Sequence, residues 1–293
     1  MISIIVCSID LDRFNRFYHS VQKTIGTEFE IIRIDNNIEQ LGISQAYNKG
    51  ALQARFDHLL FIHEDVLFNT NNWGVTLIHY FAILENPGVL GIAGSNYKTF
   101  MPSGWWNRFL ENRCVNLIQQ NKFVNLPPEH ISINATEAAP VFAVDGVFMA
   151  MKKSVYQQES FNEKMPGFHG YDLDISLRVA RKFQNYFIPD MLITHLSEGK
   201  TNGEWIENVL TVHAQHKKHL PLTLNGWQVK TERIALYDFL SKVTDSEFSR
   251  AKKHSLFKNV MQYALAKLDF ASVALISAKA YARWIRNVLM KKN

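Results

Sequence analysis

The chain has few cysteines, since Cys7 and Cys114 are the only two among 293 residues. They provide neither a disulfide framework nor the ligand spacing of a zinc site, so we expect a reducing, cytoplasmic environment. No uncharged apolar run reaches the roughly eighteen residues that a membrane-spanning helix needs. We expect no signal peptide either, because the first apolar run begins at Ile2 without a charged leader.

An excess of positive charge is confined to the C-terminal segment. Residues 250–293 contain ten Lys or Arg and one acid, whereas the first 249 residues contain 22 basic and 26 acidic residues. The net charge of +5 therefore comes from the C-terminal segment and not from the chain as a whole. Because the rest of the chain is slightly acidic, we expect no nucleic-acid partner.

The first predicted βα turn lacks glycine, since residues 8–12 read Ser-Ile-Asp-Leu-Asp, which excludes a dinucleotide-binding dehydrogenase. The remaining pattern is nevertheless that of an α/β protein. Apolar runs at 2–8, 29–34, 58–62 and 89–93 alternate with amphipathic segments at 14–24, 42–55 and 73–84. This alternation predicts a doubly wound, mostly parallel sheet flanked by helices.

Regular periodicity is lost between residues 95 and 140, a stretch rich in asparagine and aromatic residues. A strand is predicted again at 141–151, with Asp145 and Gly146 at a bend, followed by a helix at 172–183 and a strand at 186–195. We therefore predict a domain over residues 1–200, with a first half at about 1–95, an insertion at about 96–140 and a second half at about 141–200. A helical, basic extension covers 201–293.

Acidic clusters lie at the ends of predicted elements: Asp35, then His63-Glu64-Asp65, then Asp172 with Asp174. Ligands bind at the carboxyl ends of parallel strands, and isolated carboxylates near a dry core are costly. The pattern predicts a metal-and-phosphate site. Strand alternation places His63 and Asp65 on one side and Glu64 on the other, so the first two could face one Mg²⁺ or Mn²⁺ ion. The alternative is a solvated turn.

Three further candidates have both a structural and a functional interpretation. Asp35 either caps a turn or accepts hydrogen bonds from a nucleoside. Asp172, in the first turn of a predicted helix, is either a capping residue or an ionised base. His195 ends a predicted strand, and the neighbouring acidic clusters favour a metal ligand over a structural histidine. Asp174 and Arg178 have the i, i+4 spacing of a structural ion pair.

In this order the features resemble the inverting GT-A glycosyltransferases of the large family two. They resemble most closely the glycosyltransferase-like group that includes the streptomycin-biosynthesis F-type domain. The resemblance covers roughly residues 1–200. Its motifs are the opening strand to Ser8, the strand ending at Asp35, the Gly42-x-x-x-Ala46-x-Asn48-x-Gly50 helix, the metal-binding segment at 63–65, the strand with Asp145 and Gly146, the 170–178 helix and His195.

The resemblance implies a role for each matching residue. Asp172 is the general base, and Asp65 and His195 bind the metal, with His63 as a further candidate ligand. The donor nucleotide is expected at Ser8, Asp35, Asn48, Glu64 and Asp65. The acceptor side is expected at Asp145, Gly146 and Tyr171, together with Trp105 and Trp106, which either stack on a sugar or pack in the ordinary way.

The implied reaction is a single displacement that moves a sugar from a nucleoside-diphosphate sugar, with a preference for UDP, to a hydroxyl of a glycan or lipid-linked acceptor in polysaccharide biosynthesis. The cofactor is Mn²⁺ or Mg²⁺. His63 replaces the first Asp of the family's Asp-x-Asp, Tyr171 replaces a Glu, and Asn36-Asn37 follows Asp35 in place of Asp-Gly-Ser. The change at His63 supports an alternative, a catalytically degenerate scaffold that binds nucleotide-sugar. Retention of Asp65, Asp172 and His195 argues against it.

The C-terminal segment is predicted to form an amphipathic helix. One face carries Val273, Tyr281, Trp284, Ile285 and Val288, and the opposite face carries Lys279, Arg283 and Arg286. Such a helix suits peripheral attachment to an anionic membrane at its inner face. Alternatively, the apolar face packs on the catalytic domain or on a second subunit of a homo-oligomer.

Overall fold

The computed structural model describes residues 1–106, 108–120, 126–197, 199 and 201–290, with side chains described up to Arg286. Its internal contacts divide the chain into two units. The first unit comprises residues 1–97 and 110–199, and the second comprises residues 98–109 and 200–293. The predicted insertion at 96–140 thus contributes residues to both units.

The strands follow the chain in this order: β1 (Ile2–Ser8), β2 (Phe29–Asp35), β3 (His58–His63), β4 (Val66–Phe68), β5 (Pro87–Gly91), β6 (Ala93–Ser95), β7 (Tyr97–Lys98), β8 (Arg113–Gln119), β9 (Glu129–Ile133), β10 (Ala139–Val141), β11 (Ala143–Val144), β12 (Phe148–Lys152), β13 (Gln184–Phe187), β14 (Ile193–His195) and β15 (Leu222–Thr223).

The α-helices are α1 (Leu11–Thr24), α2 (Asn36–Glu39), α3 (Ile43–Gln53), α4 (Trp73–Ile83), α5 (Lys153–Gln158), α6 (Tyr171–Val179), α7 (Gly203–His216), α8 (Val229–Asp245), α9 (Arg250–Ala264) and α10 (Phe270–Met290). Helix α1 begins where the Asp10 side chain accepts a hydrogen bond from the Arg13 amide at 3.0 Å, a regular N-terminal cap.

The central sheet of the first unit has the strand order β10-β13-β5-β12-β3-β1-β2 within the described residues. Strand β1 pairs in parallel with β2 and β3, which explains its almost continuous run of buried apolar residues. Helix α3 packs closely on this strand, because a Cβ at Gly50 would lie 2.3 Å from Cγ2 of Ile5. Glycine at this position therefore sets the close approach of helix and sheet.

The sheet is mixed rather than mostly parallel. Strand β12 runs antiparallel to both of its neighbours, β3 and β5, and β10 runs antiparallel to β13. The strand predicted at 141–151 is in fact three short strands, β10, β11 and β12. The turn at Asp145 and Gly146 separates β11 from β12, so the chain enters the central sheet with reversed direction.

A second sheet in the first unit is built from short strands in the order β11-β6-β8-β14-β4, with β9 paired to β8. Strand β14 pairs antiparallel with β4, so that His195 lies opposite Val66, and parallel with β8, so that His195 lies opposite Gln119. Much of the segment without regular periodicity therefore forms strands: β8 and β9 pair with each other, and β8 also pairs with β6 and β14.

The second unit is mainly helical, and its core contains apolar residues from α7, α8, α9 and α10 together with Phe100 and Met101. The carboxylate of Glu232 is fully buried and accepts hydrogen bonds from the amides of Phe100 and Met101, both at 2.9 Å. Burial lowers the pKa of Lys98 to about 8, an effect that the charge of Glu232 opposes.

Helix α10 contributes Val273 and Ala280 to this core. Val273 and Ala280 are buried, as is Trp284, whereas Tyr281 and Ile285 remain exposed. Two members of the predicted face, Val273 and Trp284, are thus buried and two are exposed, and the side chain of Val288 lies outside the described residues. Among the residues that the structure describes, no helix has the length and apolar character needed to cross a membrane.

Candidate functional site

The candidate site forms where three parallel strands end. Ser8 of β1 lies in register with Asp35 of β2, and Cys7 lies opposite His63 of β3. Strand β12 begins at the same edge, because Phe148 pairs with Ile62 of β3. The sheet therefore brings the ends of β1, β2 and β3 and the turn that precedes β12 to one edge, as expected for a ligand site in an α/β protein.

The side chains of His63, Asp65 and His195 converge at this edge. One ligating atom from each residue lies within 4.8 Å of the others. Oδ1 of Asp65 is 3.9 Å from Nδ1 of His63 and 3.6 Å from Nε2 of His195. Two imidazoles and a carboxylate, all partly or fully shielded from solvent, form a donor set that fits a divalent transition metal.

The convergence depends on the pairing of β14 with β4. That pairing places His195 beside the turn after β3, and the Leu196 amide donates to the Asp65 carbonyl at 2.9 Å. The Ser197 hydroxyl donates to Oδ2 of Asp65, which orients the carboxylate so that Oδ1 faces the two imidazoles. A strand distant in sequence thus completes the cluster.

Two further side chains contact the imidazoles at the ring nitrogens that face away from Asp65. Nδ1 of His195 is 3.1 Å from Oε1 of Gln119, and Nε2 of His63 is 2.8 Å from the hydroxyl of Tyr171. The Tyr171 hydroxyl also lies 3.3 Å from the Gly146 carbonyl. Gln119 was not among the predicted site residues, because it lies in the stretch without periodicity and becomes recognisable only through its register with His195.

Asp172 lies in the first turn of α6, next to Tyr171. Its carboxylate accepts hydrogen bonds from the Leu173 amide at 2.8 Å and from the Gly146 amide at 3.2 Å. Burial, reinforced by the charge of Asp145, raises the pKa of Asp172 to about 7, although these amides favour the ionised form. A carboxyl group that titrates near neutral pH is well suited to exchange a proton with a bound hydroxyl.

Asp174 has a different environment from Asp172. Its carboxylate forms an ion pair with Arg178 at 2.9 Å, as the i, i+4 spacing predicts. Arg178 also binds Glu159 at 2.9 Å. These contacts connect α6 to the segment after α5 and keep the helix that carries Asp172 in place.

Ser8, Arg33 and Asp35 are joined in one polar chain at the ends of β1 and β2. Nε of Arg33 donates to the Ser8 hydroxyl at 2.9 Å, and Nη1 of Arg33 is 3.2 Å from Oδ2 of Asp35. Oδ1 of Asp35 accepts from the Asn37 amide at 3.2 Å. Asp35 therefore caps a turn, and its carboxylate is also the anionic end of this polar chain.

Glu64 points away from the metal-ligand cluster, as strand alternation predicts. Its carboxylate accepts hydrogen bonds from the amides of Ile9 at 3.3 Å and Asp10 at 3.2 Å. These two bonds hold the loop between β1 and α1 against the end of β3. Glu64 thus shapes the loop, and direct contact with a nucleotide stays a prediction.

Asn48 lies in α3, and its side chain holds a distant segment. Its amide nitrogen donates to the Phe161 carbonyl and to Glu163, both at 2.9 Å. Its oxygen accepts from the Tyr156 hydroxyl at 3.0 Å and from the Phe161 amide at 3.1 Å. These four bonds use the full hydrogen-bonding capacity of the amide, so the Asn48 side chain stabilises the fold. Donor binding by Asn48 stays a prediction.

Trp105 and Trp106 belong to the segment 98–109 of the second unit. Their ring centroids are 5.3 Å apart in an edge-to-face arrangement, and Trp106 is 46% exposed. Their expected role on the acceptor side stays a prediction.

Comparison with known proteins identifies the family. The family model described as "Glycosyltransferase like family" matches residues 3–217, and the chain belongs to this family. No curated protein sequence matches the chain at a significant level.

Solved structures show the same fold. The crystal structure of S. aureus TarS 1–349 in complex with UDP aligns with a TM-score of 0.53 at 12% identity, covering 98% of this chain and 88% of that one. The crystal structure of GalNAc-T7 with UDP, GalNAc and Mn²⁺ aligns with a TM-score of 0.50 at 12% identity, covering 87% of this chain. This chain spans about half of GalNAc-T7, since 53% of that protein is covered.

These comparisons confirm the predicted GT-A fold with its C-terminal helical part and the predicted glycosyltransferase-like family, whereas the narrower resemblance to the streptomycin-biosynthesis F-type group stays a prediction. Family and fold together support a glycosyltransferase. The His63, Asp65 and His195 cluster fits the divalent metal that the resemblance implies.

Proposed function

We propose that the chain is a metal-dependent, inverting glycosyltransferase that uses a nucleoside-diphosphate sugar, with UDP as the preferred nucleotide. The observation that carries this proposal is the convergence of His63, Asp65 and His195 at the strand edge where Ser8 and Asp35 also lie. Membership of the glycosyltransferase-like family supplies the reaction class. The substrate and the stereochemistry belong to the proposal.

The donor would bind with its nucleoside toward Asp35 and its diphosphate toward Asp65. A divalent ion held by Asp65, His195 and His63 would neutralise the charge that builds on the departing diphosphate. The chain's own contribution is to orient these groups. Ser197 fixes the Asp65 carboxylate, and the Glu64 carboxylate holds the loop that follows Ser8.

Asp172 is proposed as the general base. The acceptor hydroxyl oxygen attacks the anomeric carbon, the bond from that carbon to the diphosphate oxygen breaks, and the hydroxyl proton passes to the Asp172 carboxylate. A pKa of about 7 lets this group accept the proton at neutral pH and release it afterwards. The amides of Gly146 and Leu173 hold the carboxylate in a fixed orientation.

The acceptor is proposed to be a glycan or a lipid-linked glycan, with Asp145, Gly146 and Tyr171 on its side of the site and Trp105 and Trp106 as aromatic contacts. We further propose peripheral attachment to an anionic membrane through the basic C-terminal unit. Exposed Lys279 and Arg286 on one face of α10, with exposed Tyr281 and Ile285 on the opposite face, support it.

Membrane attachment is tested with the double variant Lys279→Glu and Arg286→Glu, which leaves the buried face of α10 intact. Full-length protein should co-sediment with anionic liposomes at low salt, and the double variant should bind at least several-fold more weakly. Equal sedimentation of the two proteins, or no sedimentation of either, would refute the membrane proposal without affecting the enzymatic one.

A nucleotide-sugar hydrolysis screen with Mn²⁺ or Mg²⁺ tests the enzymatic proposal, because slow donor hydrolysis needs no acceptor. Asp65→Asn should weaken UDP binding and remove its dependence on metal. Asp172→Asn should bind UDP as the parent does, yet lose turnover by about 10²–10⁴-fold. The anomeric configuration of the product, read by NMR, tests inversion.

The scaffold alternative makes a different prediction for the same screen. A catalytically degenerate binder would bind UDP with metal but show no turnover above that of Asp172→Asn with any donor. Loss of UDP binding in both variants to the same extent would contradict the separate roles proposed for Asp65 and Asp172.

A further inference from the structure

In His63 and in His195, the ring nitrogen that faces away from Asp65 is contacted by a neighbouring side chain. The hydrogen bonds of that side chain can all form with only one tautomer of the ring. We infer that Tyr171 and Gln119 are positioning residues that hold His63 as its Nε2–H tautomer and His195 as its Nδ1–H tautomer. Both lone pairs then face Oδ1 of Asp65. The inference rests on the metal site of the proposed function and names the residues that orient its ligands.

The argument for His195 begins with the amide of Gln119. The nitrogen of that amide lies within hydrogen-bond distance of three carbonyls, those of Gln120 at 3.3 Å, His195 at 3.2 Å and Ser197 at 2.9 Å. Carbonyls only accept, so the NH₂ group must face them, and the amide oxygen must face the ring. That oxygen is 3.1 Å from Nδ1 of His195 and also only accepts, so Nδ1 carries the hydrogen.

The argument for His63 uses the single hydrogen of the Tyr171 hydroxyl. That hydroxyl oxygen lies 3.3 Å from the Gly146 carbonyl, which can only accept, and 2.8 Å from Nε2 of His63. One assignment makes both contacts hydrogen bonds: the hydroxyl donates to the carbonyl and accepts from the ring, so Nε2 of His63 carries the hydrogen. The lone pair of the neutral ring is then on Nδ1.

The two lone-pair nitrogens lie on the side that a metal would occupy. Nδ1 of His63 is 3.9 Å and Nε2 of His195 is 3.6 Å from Oδ1 of Asp65. Ligands that bind one ion at about 2.0–2.2 Å lie about 3–4 Å from one another, which agrees with these separations. The opposite tautomer of either ring would point an N–H into the site and block coordination.

An aspartate at position 63 supplies the matched test. A carboxylate has no tautomers, so a metal site with His63→Asp does not need the Tyr171 hydroxyl. Tyr171→Phe should therefore weaken Mn²⁺ binding in the parent chain by about 10- to 100-fold, the usual cost of losing a partner of a metal ligand. The double variant His63→Asp with Tyr171→Phe should bind Mn²⁺ as tightly as His63→Asp alone.

Binding is measured by electron paramagnetic resonance of Mn²⁺ titrated into full-length protein at pH 8. Tyr156→Phe is the control for loss of a buried tyrosine hydroxyl, because that hydroxyl bonds to Asn48 instead. It should leave Mn²⁺ affinity unchanged. Gln119→Leu should weaken binding through His195, and His63→Asp should not rescue it.

A spectroscopic measurement reads the tautomers directly in the unsubstituted chain, so the inference does not depend on whether a variant folds. With ¹⁵N-labelled histidine and chelator present, long-range ¹H–¹⁵N spectra at pH 8 should show Nε2–H for His63 and Nδ1–H for His195. His63→Asp and His195→Asn identify the two signals among the chain's eleven histidines. The opposite tautomer at either ring would overturn the inference for that residue.

The outcomes separate this inference from the proposed function. Absence of Mn²⁺ binding by the unsubstituted chain would refute the proposed metal site and the inference together. Binding by the unsubstituted chain, with equal affinity in Tyr171→Phe, would refute the inference alone. An equal loss of affinity with and without His63→Asp would show that Tyr171 acts through the fold, which also overturns its positioning role.

Discussion

The raised pKa of Asp172 predicts a pH-dependent change in stability that needs no substrate to measure. In the folded chain the pKa of Asp172 is about 7, against an ordinary value of 3.8, because of burial and the charge of Asp145. Between these values the folded state holds a proton that the unfolded state has lost. Ionisation of Asp172 therefore destabilises the fold, progressively as pH rises toward 7 and fully above it.

The substitution Asp172→Asn replaces the ionisable group with a neutral one of the same shape. Between pH 5.5 and a pKa of about 7 there are about 1.5 pH units over which Asp172 is protonated in the folded chain and ionised in the unfolded chain. Over this interval the free energy of unfolding of the parent falls by about 2 kcal/mol. The free energy of unfolding of Asp172→Asn, relative to the parent, should rise by this amount between pH 5.5 and pH 8.5.

Urea unfolding with chelator present measures this difference at several pH values. Glu159→Gln is the control. Burial opposes ionisation of Glu159, but hydrogen bonds from Lys182 and Arg178 outweigh it and lower the pKa of Glu159. The ionised Glu159 therefore contributes its full stabilisation of the fold at any pH above its ordinary pKa of 4.5. The difference in unfolding free energy between Glu159→Gln and the parent should stay constant from about pH 5.5 to about pH 8.5. A pH-independent difference for Asp172→Asn, or one that falls as pH rises, would refute the reasoning.

Two further substitutions test packing in the two units. Gly146→Ala would place a Cβ 2.1 Å from the Tyr171 hydroxyl oxygen, so it should destabilise the fold by about 1–3 kcal/mol and weaken Mn²⁺ binding. Gly199→Ala is the control, because no atom of the described residues lies within 4 Å of its added Cβ, and it should have little effect in thermal unfolding and Mn²⁺ titration. Glu232→Gln puts an amide NH₂ group against a backbone N–H in the second unit and should lower the free energy of unfolding by about 2 kcal/mol. The control, exposed Glu207→Gln, should lower it by less than about 0.5 kcal/mol. Equal urea midpoints for the two variants would contradict the role of Glu232.

The donor-side half of the fold could be predicted closely from the sequence. Strands β1, β2 and β3 and helices α3 and α4 lie within a few residues of the predicted segments, because buried parallel strands and amphipathic helices each have a distinct periodicity. The cluster of His63 and Asp65 followed from strand alternation alone. His195 was a candidate from its place at a strand end, but its approach to Asp65 could not be predicted locally, because it depends on the pairing of β14 with β4.

The segment between residues 95 and 140 could not be predicted, for a physical reason. Strands β8 and β9 pair with each other inside the segment, but neither shows the alternation of buried and exposed residues that marks a strand in a sequence, and β8 also pairs with β14, which is distant in sequence. The reversal at Asp145 and Gly146 was visible as a bend, but strand direction within a sheet is set by tertiary pairing. The hydrogen bonds of Tyr171, Gln119 and Glu64 depend on the same long-range contacts and were equally hidden.

The composition of the second unit has a consequence for the order in which the chain can fold. Residues 98–109 belong to this unit, although about ninety residues of the first unit separate them from the rest of it. As synthesis proceeds, Phe100 and Met101 emerge long before Glu232, whose carboxylate binds their amides. Residues 98–109 can therefore pack into the core of this unit only after the C-terminal helices have been synthesised. A fragment that ends near residue 200 would expose these apolar side chains to solvent and should aggregate.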